Sequence, residues 1–415
     1  MAMDGIFVSE DVEVLAPRLS AINAKSSRNA GRPRPQLVGS GGEDRLMTSC
    51  IDFVRTSALP SLPIPWPRNQ DCPRSAFALP CGDDLVLAVS HAWRYQAHPD
   101  PLGMDCSMIS ELARQATEAH KPKGLTTTFF DYLSLAQRPL QNGRDDRSEQ
   151  ELQRFGKALI AMPRLYVHAD AVLHLQDLHR DMYFPGEGQI VSVSCTELEV
   201  AYLVQIGSEL RIDGWKGQKP AGAAFGPLDL IVSVNGRAVQ SIKGFEESCT
   251  AAKLMGVPAV AQIERAPMGK RNEISAGERG WIYLERFCSM VKTAMVDESQ
   301  LDRLVFSNSP EIIDQIRSGG MKLRKAAIGG ELKLKAVLHA FVDELHRKTF
   351  SATSIDKMNN VGVSSQAAHS DAMMVEEIMK HLVAELQWSW NTRVVEQRQR
   401  QLTLAVNRGD ATAAK

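Results

Sequence analysis

Residues 85–89 read Leu-Val-Leu-Ala-Val, five apolar residues in a row with no polar alternation. A run this short and uniform suits a strand covered on both faces, as in a parallel sheet flanked by helices. Two later segments fit the same sheet. Residues 126–130 (Thr-Thr-Thr-Phe-Phe) are β-branched and aromatic, and residues 171–175 (Ala-Val-Leu-His-Leu) are again mostly apolar. Between them, 107–120 is expected to be helical. So is 148–162, where Leu152, Phe155 and Leu159 share a face and Pro163 would end the helix. Strand, helix, strand, helix, strand predicts an α/β fold with a parallel, Rossmann-like sheet.

The period changes further along. From about 195 to 266, short alternating segments and turn residues replace the long helical periods, so a small β-rich domain is expected to interrupt the α/β domain. Its expected parts are a strand at 210–212, a helical turn at 220–224, and a strand from Leu228 into Val234-Asn235-Gly236. A helix at 242–254 and a last strand at 257–263 follow. Asn-Gly supplies the positive φ angles of a type I′ turn. After Gly280 the chain is helical again. Leu334, Leu338, Phe341, Val342 and Leu345 make one apolar stripe, and Met374, Ile378, Leu382 and Leu386 another, both expected to be packing faces.

The expected layout follows. Residues 1–80 form a largely flexible leader, with one short helix carrying Leu46, Cys50, Phe53 and Val54, then an extended connector with five prolines at 57–75. Residues 81–190 and 270–295 form the α/β domain, and 195–266 the β-rich module. Residues 296–350 are a helical extension, 351–370 a linker, and 371–415 a C-terminal helix and tail.

Charge narrows the partners. Lys and Arg total 48 against 49 Asp and Glu, so no basic excess points to nucleic acid. No apolar stretch approaches the roughly 20 residues of a membrane span. The seven cysteines are scattered, without a Cys-x-x-Cys pair, and no metal site is expected. Acidic residues near the N-terminus do not fit a secretion signal. A cytoplasmic protein is expected.

The segment from Gly226 to Gly236 resembles the PDZ family, whose pattern is "G-x-L-x-x-D-x-I-x-x-V-N-G" followed by a helix and a last strand. Asp229, Ile231, Val234, Asn235 and Gly236 carry the match at that spacing, with Gly226 and Leu228 two residues nearer to Asp229 than the pattern places them. The resemblance implies a protein or peptide partner added as a strand to an exposed sheet edge. It implies peptide contacts at Leu198, Val200, Ala201 and Tyr202, the stretch matching the family's carboxylate-binding loop. That stretch departs from the family: it has no glycine, and Glu199 would repel a terminal carboxylate. A module that serves only as a spacer packed on its host is the plainer reading.

The α/β segments carry a second likeness. Ser90-His91-Ala92-Trp93 follows the first strand, and Phe130-Asp131-Tyr132-Leu133-Ser134 the second. Tyr166-Val167-His168-Ala169 precedes the third, and Arg279-Gly280-Trp281-Ile282-Tyr283-Leu284-Glu285 lies beyond the β-rich segment. This order resembles HET-type domains, and "W-x-x-x-E" also resembles TIR domains. The resemblance implies that Glu285 is the catalytic carboxylate of an NAD glycohydrolase. Ser90, His91, Trp93, Asp131 and Ser134 would line the nucleotide site, with Trp93 or Tyr132 stacking on a ring. NAD would enter as substrate, and no resident cofactor is expected. It equally implies an assembly module without turnover, with self-association as a further contact. Plainer roles stand beside these: Trp281 as core, Glu285 as a surface charge beside Arg286, His91 and His98 as satisfied structural histidines, and Asp131 as a loop brace. The glycine-rich signature of dinucleotide-binding dehydrogenases is absent from the sequence. Between an interaction scaffold and an enzyme, the scaffold is the first expectation.

Overall fold

The computed structural model describes residues 49–95, 98–137, 147–176, 186–206, 209–216, 222–226, 228–266, 272, 274–296, 298–350 and 372–392. The chain enters with β1 (Val54–Arg55) and a series of 3-10 turns, then forms β2 (Leu85–Ser90), α1 (Met104–His120), β3 (Thr126–Phe129) and the short α2 (Asp131–Ser134). After α3 (Glu149–His168) comes β4 (Ala171–His174). A second sheet follows, from β5 (Ile190–Ser194), α4 (Cys195–Leu198), β6 (Ala201–Ile206), β7 (Glu209–Trp215), β8 (Leu230–Val234) and β9 (Arg237–Ala238). It closes with α5 (Ile242–Leu254) and β10 (Val260–Glu264). The chain then returns as α6 (Gly280–Met295), β11 (Val305–Ser307), α7 (Pro310–Ile328), α8 (Glu331–Leu345) and a last helix, α9, at 372–392.

The first sheet has the order β1-β3-β2-β4-β11. β3, β2, β4 and β11 run parallel, with Leu87 opposite both Thr128 and Ala171, and β1 is antiparallel to β3. Both 85–89 and 171–175 therefore enter one sheet, as expected of an α/β fold. Strand alternation divides its core in two. Leu85, Leu87 and Val89 face Ile109, Leu112 and Ala116 of α1. Val86 and Ala88 face the opposite layer, with Leu165 of α3 and Phe287 and Val291 of α6.

Several expectations need correction. Residues 49–80 are not a leader and connector. Leu59, Leu62, Trp66, Cys72 and Ala76 are buried in the same layer as α1, because the prolines set short 3-10 turns that carry apolar side chains onto the sheet. The expected short helix reaches only Cys50 among the described residues, and Phe53 and Val54 lie beyond it, with Val54 paired to Thr128. Pro163 does not end α3, which continues to His168. The capping box of Ser148 and Glu151 fixes its start, and burial of Leu165 and Tyr166 beyond the proline outweighs the missing N–H. Residues 296–350 are no appendage: β11 joins the sheet, and Ile312, Ile316, Leu323, Leu334 and Leu345 share a core with α3 and α6. On α9 the buried stripe is Val375, Met379, Leu382, Val383 and Leu386, close to the one expected. The proposed linker at 351–370, the tail after 392 and residues 1–48 lie outside the described residues.

The second sheet has the order β5-β10-β8-β7-β6, with β9 paired to β8. Its core holds Leu210, Ile212, Phe225, Ile231, Val234, Ala261 and Ile263. Asn235 and Gly236 have φ of 46° and 78°, the turn expected between β8 and β9. Ser241 caps α5 by accepting from Gly244 N at 3.1 Å. The small helical turn expected at 220–224 is not seen at the described residues 222–224.

Candidate functional site

In the first sheet, β3 lies on one side of β2 and β4 on the other. The strand order thus reverses direction at β2, and such a switch leaves a crevice beyond the carboxyl ends of the strands where ligands gather in α/β folds. Ser90 ends β2, His91 follows it, and Asp131 begins α2 just past β3. Helix α6 passes over these strand ends and brings in Glu285.

Glu285 is buried, contrary to a surface charge. Burial pushes its carboxyl up to about 8, and the negative charge of Asp131 adds to this; the Ser90 and Tyr166 hydroxyls and Arg286 pull the other way. Its Oε2 has no hydrogen-bond partner. The Tyr166 hydroxyl in turn donates to Val89 O at 2.9 Å. Asp131 is partly exposed. Trp93 Nε1 donates to its Oδ2 at 2.7 Å and Tyr132 N to its Oδ1 at 2.7 Å. Burial still raises the Asp131 carboxyl, with the Trp93 bond and the nearby His91 opposing. Two carboxyl groups therefore share one neighbourhood, each held toward its neutral form.

His91 is oriented from the other side. Its Nε2 lies 2.7 Å from Asp105 Oδ2, and Arg94 Nη2 reaches the same carboxylate at 3.2 Å. Asp105 stands in the first turn of α1, where Asp100 accepts from the Met104 and Asp105 amides. His91 Nδ1 is buried without a partner.

Of the five residues expected to line this site, Ser90 and Asp131 neighbour Glu285, and Trp93 and His91 neighbour Asp131. Ser134 serves elsewhere. Its Oγ accepts from Phe130 N at 3.1 Å and its carbonyl from Asp52 N at 3.0 Å, so it braces the α2 turn. Nor is Tyr132 free to stack on a ligand. It is buried between Trp93 and His98, with ring centroids 5.5 and 4.5 Å away. His98 is structural, bonded to Trp66 O and the Asp100 amide. Trp281 packs against the core. Nothing in the sequence marks Asp105, fourteen residues from His91; Tyr166 was visible only through its place before the third strand. Among the described residues no group of three or more His, Cys, Asp or Glu side chains is arranged to hold a metal ion.

The second candidate is an edge. Among the described residues β6 pairs with β7 alone, and α5 packs close to it. Of the four residues expected to meet a peptide, Leu198 and Ala201 turn inward to the module core, because the short α4 buries Leu198 as its anchor. Val200 and Tyr202 are more than 40% exposed. Among the described residues no helix is long and apolar enough to cross a membrane. Set against family models, curated proteins and solved structures, the chain matches none.

Proposed function

We propose that this chain is an interaction scaffold, in which an extended peptide from a signalling partner adds to the outer edge of β6 beside α5, as in PDZ-like modules. One observation carries this reading: among the described residues β6 ends its sheet and pairs with β7 alone. An edge strand offers unpaired N–H and C=O groups to a further strand, and pockets beside it select side chains. The strand order, the Asn235-Gly236 turn and a helix between β9 and β10 support the PDZ-like reading. The TIR/HET-like sheet, interrupted between β4 and α6, would present the module. The test is a peptide-library screen against the full chain, followed by hydrogen exchange with a selected peptide. Protection gathered on β6 and α5 supports the reading; binding without protection there sinks it.

A second reading rests on a different observation, the meeting of Glu285 with Ser90 and Asp131. Two carboxyl groups at one site suit cleavage of a glycosidic bond, because a carboxylate stabilises an oxocarbenium-like transition state. NAD, cleaved at the nicotinamide–ribose bond, is the substrate this arrangement would take. Glu285 must ionise to play that part. Nicotinamide release should therefore rise with pH through about 8 and vanish in Glu285→Gln. Equal, negligible release from both proteins would end this reading.

A further inference from the structure

A sheet edge that captures a chain terminus needs uncommitted backbone N–H groups, set in a concave nest where the carboxylate arrives. The turn leading into β6 has committed three of its amides. Cys195 N donates to Ala259 O at 2.9 Å, Thr196 N to Ser194 Oγ at 3.3 Å, and Glu199 N to Thr196 O at 3.3 Å. A nest also requires a left-handed residue, and no described residue from 189 to 216 has a positive φ. The side chains standing out of the turn are acidic: Glu197 and Glu199 are both exposed. On α5, Cys249 meets Cys195, and the exposed Glu246 and Lys253 lie a turn to either side of Cys249. Lys216, whose amide donates to Val200 O, is an exposed cation beside the turn. It therefore stands at the turn's own end of the β6–β7 pairing, where Ala201 lies opposite Trp215, so two exposed carboxylates meet one exposed lysine there.

We infer that the β6 edge takes an internal extended segment of a partner protein rather than its C-terminus, with a Lys or Arg side chain placed over Glu199. This rests on the strand-addition reading and adds the class of ligand to it. The peptide main chain supplies the ladder bonds, and the turn supplies charge complementarity in place of a carboxylate cradle.

The experiment screens the full chain against two versions of one random decapeptide library, one ending in a free carboxylate and one in a carboxamide. Both should yield binders of the same consensus, with Lys or Arg at a fixed position. Glu199→Lys should then weaken the best amidated peptide by about ten-fold, because like charges meet where opposite ones did. Glu197→Lys should have a smaller effect of the same sign. Binders from the carboxylate library alone would overturn the inference and leave strand addition standing. Full affinity in Glu199→Lys would remove the cation from it. An absence of binders in both libraries would bring down strand addition and, with it, this inference.

Discussion

Arg279 Nη1 donates to the carbonyl of Trp93 at 2.6 Å, across 186 residues of chain. The same guanidinium donates through Nε to Ile274 O at 2.9 Å, and the residue is buried. The bond ties the loop after β2 to the start of α6, so the two parts of the α/β domain on either side of the second sheet close on each other. It also holds the residue whose indole bonds Asp131.

Removing this tie should be costly. A charged donor bonded to carbonyls contributes roughly 1.5–3 kcal/mol per bond, and truncation leaves both acceptors unmatched. Arg279→Ala is expected to destabilise the chain by about 3 kcal/mol in urea unfolding. Arg279→Lys should recover less than half, since an ammonium cannot span both carbonyls with one planar fork. A variant as stable as wild type would show that the two halves do not depend on this contact.

Glu285 and His174 set opposite limits on stability with pH. Glu285 is raised from an ordinary 4.5 to about 8 by burial. Above pH 4.5 the unfolded chain gives up this proton while the folded chain keeps it, so stability falls as pH rises toward 8, by on the order of 4 kcal/mol. His174 is buried against Ser289 Oγ at 2.8 Å, and burial, then Arg286, lowers it from 6.5 to about 3. Its stability is present above pH 6.5 and is lost as pH falls toward 3, because the unfolded chain then takes a proton that the folded chain refuses. From these two groups the maximum lies between about pH 4.5 and 6.5. Glu285→Gln should be more stable than wild type at pH 8 and no better at pH 4. His174→Gln should flatten the acid limb. Urea titrations at pH 4, 6 and 8 read both, and a parallel pH slope in Glu285→Gln would show that its carboxyl is not held neutral.

Helices α6 and α7 cross closely at glycines. A Cβ on Gly320 would stand 2.0 Å from Thr293 Oγ1 and 3.0 Å from Met290 O, a backbone atom. Alanine raises helix propensity by about 1 kcal/mol, but here the neighbour cannot move aside cheaply. Gly320→Ala is expected to lose about 1–3 kcal/mol net, read as a lowered thermal midpoint. A gain in stability would mean that the two helices can separate without loss.

The sequence disclosed what periodicity and turn chemistry can encode. The runs at 85–89 and 171–175 are continuous because both faces of β2 and β4 are covered, and α5 spans Ile242–Leu254 as expected. It hid what depends on distant neighbours. β1 has two residues and β11 three, too short for any period, and they are strands only because Thr128 and Val172 lie beside them. The prolines at 60–73 read as an open connector, since nothing local shows that Leu59, Leu62 and Trp66 find a sheet face. At the site, residues following strands were legible from topology. Asp105 was not, because its role comes from a contact in space, its carboxylate in the first turn of α1 lying 2.7 Å from His91 Nε2.

Asn235 joins both kinds of information. The sequence marks it as the first central residue of a type I′ turn, and its φ of 46° agrees. The fold adds a clamp on β10: its side chain donates to Pro258 O at 3.0 Å and accepts from Val260 N at 2.9 Å. Asn235→Ala should lose two bonds and force an alanine into the left-handed region, together costing about 2–3 kcal/mol. Asn235→Gly keeps the backbone freedom and loses only the clamp, so it should cost about half as much. Because β10 also pairs with β5, loss of the clamp should reach beyond the turn, speeding amide exchange along Val260–Glu264. Exchange confined to 234–238 would mean that the clamp is incidental to the pairing of β10.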